Sequence, residues 1–267
     1  RRTPSYDMGV GLQGLLNQNN KNFGYDLLMA TGNSDKPAAN SFKWFYGDIY
    51  HFFMDKKLVI DLYADYQRLN WQPGWHHDRQ MLKGFIAYNT QIFTLGIEGF
   101  VNNLRGDTKA TYINPPGVNS ADTITTKAAG ISFFLHGDIV KNKLRYFARV
   151  DLYNPNENVN NNMYKAYSGV SSPGGYNSPG YKMTYSPSTG APTAATSTGD
   201  PTAKETFMTI GLDFTPYKNI HFEPNIWYEH YASQLAATGP EGNYDLVYRL
   251  TFFYVFGKSY KNTYNQF

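Results

Sequence analysis

Long segments in which apolar and polar side chains alternate constrain this chain more than any other feature. In the stretch LRYFARVDLY (144–153), the aliphatic residues fall on one face of an extended strand, while Arg145, Arg149 and Asp151 fall on the other. In a soluble sheet the aliphatic face would lie in a core and the charged face in water. In a membrane barrel the aliphatic face meets lipid and the charged face lines the lumen.

Eleven segments carry this period-two pattern, and helical periodicity is hard to find anywhere. They are residues 6–16, 22–31, 42–53, 58–69, 80–89, 92–103, 127–137, 144–154, 205–215, 220–231 and 245–256, with an ambiguous phase in 42–53 and 127–137. The segments run about 10 to 13 residues, whereas globular strands average about five or six and about 9 to 11 tilted residues cross a bilayer. Their length favours membrane-spanning strands.

The connections between these segments alternate in size. The turns at NQNNK, MDKK, NTQ, DIVKNK and TPYKN are short, and those around 32–41, 70–79, 104–126, 155–204 and 232–244 are long. Short periplasmic turns and long extracellular loops are typical of outer-membrane barrels. A soluble β-sandwich or jelly roll is the alternative, and it would not require this alternation. The prediction is an all-β, transmembrane, antiparallel up-and-down barrel occupying 1–267 as one domain.

Composition agrees with this fold class and excludes several others. Aromatic residues make up 17% of the chain, with 23 Tyr, and charged residues make up only 17%, against about 25% in ordinary soluble domains. Tyrosine suits surfaces that are half apolar and half wet. No apolar run is long enough for a transmembrane helix, the absence of cysteine excludes a disulfide scaffold, and a net charge of +3 does not argue for nucleic acid.

The strand count carries a further expectation. If the short turns are periplasmic, the first and the eleventh segments both descend towards the periplasm, whereas closed bacterial barrels have an even number of strands. We therefore expect about 12 strands with one ascending strand missing before Arg1. A hairpin inside 155–204 would add two strands and would give an even count only if another segment is misread.

Three stretches resemble a known family. FEPNIWYEHY (222–231) followed by a polar loop and YRLTFFYVFGK (248–258) is similar to the last hairpin of porin-like outer-membrane barrels of the Bacteroidota. RVDLYNPN (149–156) resembles their lumen-facing strand ends. The resemblance implies a channel-like fold in the outer membrane of a Gram-negative bacterium and carries over no catalytic residue. The tail KSYKNTYNQF departs from barrels that stop on the terminal aromatic residue of their last strand.

Ionisable residues on the face opposite the apolar rows are the candidates for the lumen lining. They are Asp61, Asp65, Lys83, Glu98, Arg145, Arg149, Asp151, Glu223, Glu229 and Arg249, with Asp26 and Asp213 beside them. Carboxylates outnumber bases in this set. The pattern predicts either a lumen that favours cations or hydroxyl-rich solutes, or a salt-bridge network that fills a narrow barrel.

No catalytic, metal or cofactor site is expected. His76, His77 and Asp78 are adjacent on a long loop, where neighbouring side chains usually diverge. Ser132 and His136 share a strand face, but four residues separate them by roughly 13 Å, beyond hydrogen-bond reach. The Pro-, Gly- and Ser-rich segment 155–204 is expected to be a constriction loop or a mobile surface loop.

The leading hypothesis is therefore an outer-membrane, porin-like channel that is not an enzyme. It would contact outer-membrane lipid and allow passive or weakly selective passage of small solutes. The alternative is a closed barrel that serves as a structural or docking subunit for other outer-membrane proteins. The sequence does not separate the two, because plugging of the lumen depends on side-chain and loop geometry.

Overall fold

The computed structural model of the chain describes residues 7–16, 21–32, 42–68, 70–72, 75–76, 78–113, 121–169, 202–232, 234 and 244–254. Every regular element in these ranges is a β-strand. The strands are β1 (Gly9–Leu15), β2 (Phe23–Ala30), β3 (Trp44–Phe53), β4 (Leu58–Gln67), β5 (Asn70–Gln72), β6 (Trp75–His76), β7 (Arg79–Asn89), β8 (Phe93–Tyr112), β9 (Ala121–Val140), β10 (Leu144–Asn154), β11 (Tyr164–Gly169), β12 (Lys204–Phe214), β13 (Ile220–Ala232) and β14 (Tyr244–Tyr254). Within the described ranges there is no helix long and apolar enough to cross a membrane.

Eleven strands follow one another as antiparallel neighbours in a single sheet, in the order β1-β2-β3-β4-β7-β8-β9-β10-β12-β13-β14. All eleven correspond to segments predicted from the alternating pattern, so the all-β prediction is confirmed. β11 pairs with β8 beside this path, and β5 pairs only with β6. β1 and β14 are the two ends of the path. They run in the same direction, so they are not able to pair with each other as antiparallel strands.

The pairing register fixes which residues share a face. Ile60 on β4 stands opposite His51 on β3 and Ile86 on β7. The same row continues through Ile97, Phe133, Val150, Met208, Tyr228 and Leu246. Directly opposite residues in an antiparallel pair project to the same side of the sheet. The aliphatic row of LRYFARVDLY therefore lies on the same side as the aliphatic row of β4.

Short turns join consecutive strands at one end of the sheet, which we call the short-turn end. The turn at 54–57 is tight, and Lys57 N donates to Met54 O at 3.1 Å. Met54, Asp55 and Lys56 all have left-handed backbones, with φ of 53°, 54° and 65°. Residues other than glycine rarely adopt this conformation, and each such residue costs free energy. This turn is held in place by the strands on either side of it.

The segment 104–126 was expected to be a long loop, and that expectation was wrong. Both β8 and β9 are 20 residues long, and they pair through most of this segment. The register shifts between Leu104 and Thr108, where Gly106 has a φ of 65°. Glycine accepts this backbone without a side-chain clash. The hairpin therefore continues well past the ends of the neighbouring strands.

A third strand supports the far part of this hairpin. β11 pairs with β8 between Thr108 and Tyr112, and Tyr164 packs with Ala110 in a small buried cluster. We call this three-stranded extension the β8–β9–β11 ribbon. β11 comes from the segment 155–204, which was expected to be the largest irregular piece, with a hairpin inside it as the alternative. Residues 170–201 of that segment and the tail after Tyr254 lie outside the described residues.

Candidate lumen-lining face

The apolar face of the sheet is exposed and the polar face is partly enclosed, whereas a soluble sheet buries its apolar face. On β4, the apolar residues Ile60 and Leu62 are exposed, Leu62 to 54%. On the other side of the same strand, Asp61 and Asp65 are half-buried and Gln67 is only 3% exposed. We call the side of Leu62 the outer face and the side of Asp61 the inner face. Polar groups are thus the more enclosed ones.

The outer face is apolar along most of the sheet. Its exposed side chains include Val10, Leu12, Leu27, Ile49, Leu62, Leu82, Ile86, Leu95, Phe133, Leu152, Ile210, Ile226, Leu250 and Phe252. Charged residues on this face stand near the long-connection end of the strands, as Lys127 and Lys204 do. Few of the large hydrophobic residues in the described ranges are buried, so the core that a soluble domain needs is not formed by them. The apolar side chains of the outer face are therefore not covered by a protein core among the described residues.

The register puts every predicted lumen candidate on the inner face. Asp61, Asp65, Lys83, Glu98, Arg145, Arg149, Asp151, Glu223, Glu229 and Arg249 all project to this side, together with Asp26 and Asp213. Asp48 also lies there, opposite Asp26 and Tyr63. The sequence did not assign it because the phase of β3 is ambiguous until β3 is paired with β4.

Five carboxylates stand in one cross-strand row, which we call the acidic row. It consists of Asp61, Glu98, Asp151, Glu229 and Asp245, separated by Phe85, Ser132 and Phe207. No basic residue occurs at these register positions between β4 and β14. The carboxylate oxygen Oδ1 of Asp61 is buried and accepts no hydrogen bond from the described part of the chain.

Basic residues flank the acidic row and pair with two of its members. Lys83 Nζ is 3.3 Å from Glu98 Oε2, and Arg149 Nε donates to Asp151 Oδ1 at 2.8 Å. The side chains of Arg149 and Asp151 are 54% and 25% exposed, so water screens this pair. The inner face is thus partly neutralised, but its carboxylates stay in excess.

The remaining candidate bases have partners that the sequence did not reveal. The guanidinium of Arg249 lies 3.7 Å from the centre of the Trp227 ring, a cation–π contact. Arg145 Nε is 3.2 Å from Asp138 Oδ1, and Arg145 Nη2 is 3.2 Å from His136 Nδ1. These partners come from neighbouring strands, and the sequence fixes their positions only once the register is known.

Aromatic rings on the inner face lie over glycines of neighbouring strands. A β-carbon added to Gly96 would come within 2.1 Å of the Phe134 ring, and one added to Gly24 within 2.3 Å of the Tyr50 ring. Phe100 covers Gly130 and Phe147 covers Gly211 in the same way. Because each glycine leaves room for a ring against the sheet, these large side chains take up little of the space in front of it.

Among the described residues no group of three or more His, Cys, Asp or Glu side chains is arranged to hold a metal ion. Ser132 and His136 both lie on the inner face, and His136 Nδ1 is occupied by Arg145. The His77 position and the side chain of His76 lie outside the described residues.

Comparison with family models, with curated proteins and with solved structures finds no match to this chain.

Proposed function

We propose that this chain is a porin-like channel of a bacterial outer membrane, of the Bacteroidota type, in which the sheet curves into a transmembrane barrel. The observation that carries the proposal is the inverted exposure of the two faces. An apolar outer face suits lipid, and a polar inner face suits a water-filled passage for small solutes. In this arrangement the short-turn end faces the periplasm.

The energetic argument concerns the uncovered outer face. Removing one Leu, Ile or Phe side chain from water stabilises a structure by about 1.5 to 3 kcal/mol. Monomeric soluble proteins rarely leave contiguous apolar patches larger than a few hundred Å² exposed. The outer face carries such side chains on strands from β1 to β14. Lipid would cover all of them at once, and a second sheet of a β-sandwich is not present among the described strands.

A cavity at the short-turn end of the inner face supports curvature of the sheet towards a barrel. Phe52 on β3 and Phe134 on β9 line one cavity, together with residues of the three strands between them. In a flat sheet, four strand spacings would separate β3 from β9 by roughly 19 Å. Antiparallel closure requires one further strand between β1 and β14, since both run towards the short-turn end.

The acidic row supports a weak preference for cations. Rings of Asp and Glu attract cations in narrow, poorly hydrated passages. Asp61 is unpartnered at Oδ1, while Glu98 and Asp151 are each balanced by one base. The preference is therefore expected to be modest and to fall as salt rises, because the screening length shrinks to about 3 Å at 1 M.

Ion conductance of the purified protein in planar lipid bilayers tests the proposal. We expect discrete conductance steps and, across a salt gradient, a reversal potential of the sign given by cation preference. Clear anion selectivity would contradict the role of the acidic row. Correct insertion without any conductance would contradict the channel and favour the second candidate.

That second candidate is a closed barrel that acts as a docking subunit in an outer-membrane complex. The β8–β9–β11 ribbon favours it, because a three-stranded extension with its own small core is suited to contact a partner. The ion pairs of the inner face would then fill a narrow interior.

A further inference from the structure

A cavity of about 280 Å³ lies at the short-turn end of the inner face, and the channel proposal gives it no role. We call it the turn-end pocket. The residues that line it include Phe85, Ala87 and Phe134 on the apolar side and Lys56, Lys57, Asn89 and His136 on the polar side. Side chains of both chemical kinds meet here, with apolar groups along the wall and polar groups near the turns.

The apolar part of the pocket is built for a flat ring. Phe85 and Phe134 are stacked, with ring centres 6.1 Å apart and an angle of 11° between their planes. Phe134 is held against the sheet over Gly96, and Ala87 beside it is small and buried. A cavity of about 150 Å³ lined by aliphatic and aromatic groups holds benzene. The turn-end pocket has room for one benzene-sized ring and a polar substituent.

The polar groups of the pocket that remain available to a ligand are hydrogen-bond donors. Thr94 Oγ1 donates to Asn89 Oδ1 at 2.9 Å, so the Asn89 amide nitrogen is the group that is still available. Arg145 is always a donor, so the contact of its Nη2 with His136 Nδ1 makes that nitrogen an acceptor. A neutral His136 ring then carries its proton on Nε2. The polar side of the pocket therefore presents N–H groups.

Two lysines add positive charge at the same side. Lys56 and Lys57 belong to the 54–57 turn, whose left-handed residues are held by the flanking strands. Asn89 N donates to Lys57 O at 2.7 Å, which fixes the turn against β7. Asp55 is the carboxylate of this turn, and it does not line the pocket. The lysines therefore favour an anion at the turn side of the pocket, whereas Asp61 and Glu98 of the acidic row flank Phe85 at its other side.

We infer that the turn-end pocket binds a monocyclic aromatic carboxylate. The ring would lie against Phe85 and Phe134, and the carboxylate would accept hydrogen bonds from Asn89 and His136 beside Lys56 and Lys57. The site needs only the folded inner face, so binding does not depend on whether ions pass through the barrel.

Fluorine NMR of 4-fluorobenzoate with the full chain in detergent micelles tests this inference. We expect saturable line broadening with 4-fluorobenzoate, and none with 4-fluorobenzylamine or trifluoroacetate. The amine has the ring with the opposite charge, and trifluoroacetate has the charge without the ring. Equal saturable binding of the amine, or no saturable binding of 4-fluorobenzoate to folded protein, would overturn the inference.

Two sets of variants locate the site. Lys56→Gln with Lys57→Gln should weaken 4-fluorobenzoate binding about threefold to tenfold, since exposed charge pairs contribute up to about 1 kcal/mol. Lys141→Gln with Lys143→Gln removes the same charge from another short turn that does not line the pocket, and it should change the affinity less than about twofold. Phe134→Leu should also weaken binding, with the strand content checked by circular dichroism. An equal effect of both lysine pairs would place the bound anion outside the pocket.

The two proposals fail in different ways. Loss of benzoate binding with intact conductance would overturn only the pocket. Binding without conductance would overturn only the channel.

Discussion

Phe134 of β9 lies across Gly96 of β8, so that a β-carbon at Gly96 would come within 2.1 Å of the Phe134 ring. The ring also stacks on Phe85 of β7. The packing of two rings, from β7 and β9, thus depends on the absence of a side chain at Gly96 of β8 between them. This relationship gives a direct test of how tightly the inner face is packed.

Gly96→Ala should destabilise the protein by about 1 to 3 kcal/mol, the usual cost of inserting a group into a packed region. Gly99→Ala is the matched control, because a β-carbon there would meet Gly130 O of the neighbouring strand at an ordinary 3.8 Å. The free energies of unfolding are measured by denaturant titration of the refolded protein. Equal stability of the two variants would mean that Phe134 moves away at no cost.

Leu250→Arg distinguishes lipid from water at the outer face. Leu250 is 72% exposed, so in a soluble sheet the substitution should change stability by less than about 0.5 kcal/mol. In a bilayer, an arginine near the midplane of the lipid-facing surface costs about 2 to 4 kcal/mol. Thr251→Arg is the control, since Thr251 projects to the inner face opposite Glu223. Unfolding in lipid vesicles gives both values, and a negligible cost for Leu250→Arg would contradict insertion.

Asp61→Asn with Asp65→Asn should reduce cation preference and leave the fold intact. Both residues lie on the inner face of β4, and amides keep the size of the side chains while removing two negative charges. The reversal potential across a salt gradient measures the change. Asp55→Asn with Glu157→Gln is the charge-matched control, because Asp55 lies in a short turn and Glu157 pairs with Lys127 at the other end. An equal shift in the control would show that the net charge of the chain, and not the inner face, sets selectivity.

Trypsin added to intact cells should cut within 155–204, for example after Lys182, and should spare Lys56, Lys57 and Lys218. The reason is that the short turns are proposed to face the periplasm. Mass spectrometry of the released fragments identifies the cleaved bonds. Permeabilised cells serve as the control, because the turn lysines become accessible there. Cleavage of the 54–57 turn from outside would show the opposite orientation.

The strands could be predicted from the sequence because their two faces meet different surroundings. Alternation located all eleven strands of the main path and assigned Asp61, Arg149 and Arg249 to one face. It missed the far halves of β8 and β9, where apolar residues no longer alternate with polar ones. The far halves are held by backbone hydrogen bonds between β8 and β9 and by pairing of β8 with β11. Neither interaction requires apolar and polar residues to alternate in the sequence.

The sequence predicts which residue types form the candidate site, but it does not predict which of these side chains contact one another. Asp48 was missed because β3 carries aromatic side chains on both faces, as Phe45 and Tyr46 show. The contacts of Arg249 with Trp227 and of Arg145 with His136 join different strands. Such contacts depend on register, and a slip of one residue would move one partner to the opposite face.

If the chain lies in an outer membrane as proposed, the length of β8 and β9 sets how far the molecule reaches from the cell. A strand of 20 residues extends about 66 Å, and at a tilt of about 40° it rises about 50 Å, against a hydrocarbon layer of about 30 Å. In the proposed orientation, the β8–β9–β11 ribbon would stand roughly 20 Å above the lipid. An antibody or a bacteriophage approaching the cell would meet it before any other described part of the chain, and a peptide epitope inserted between β8 and β9 would be displayed there.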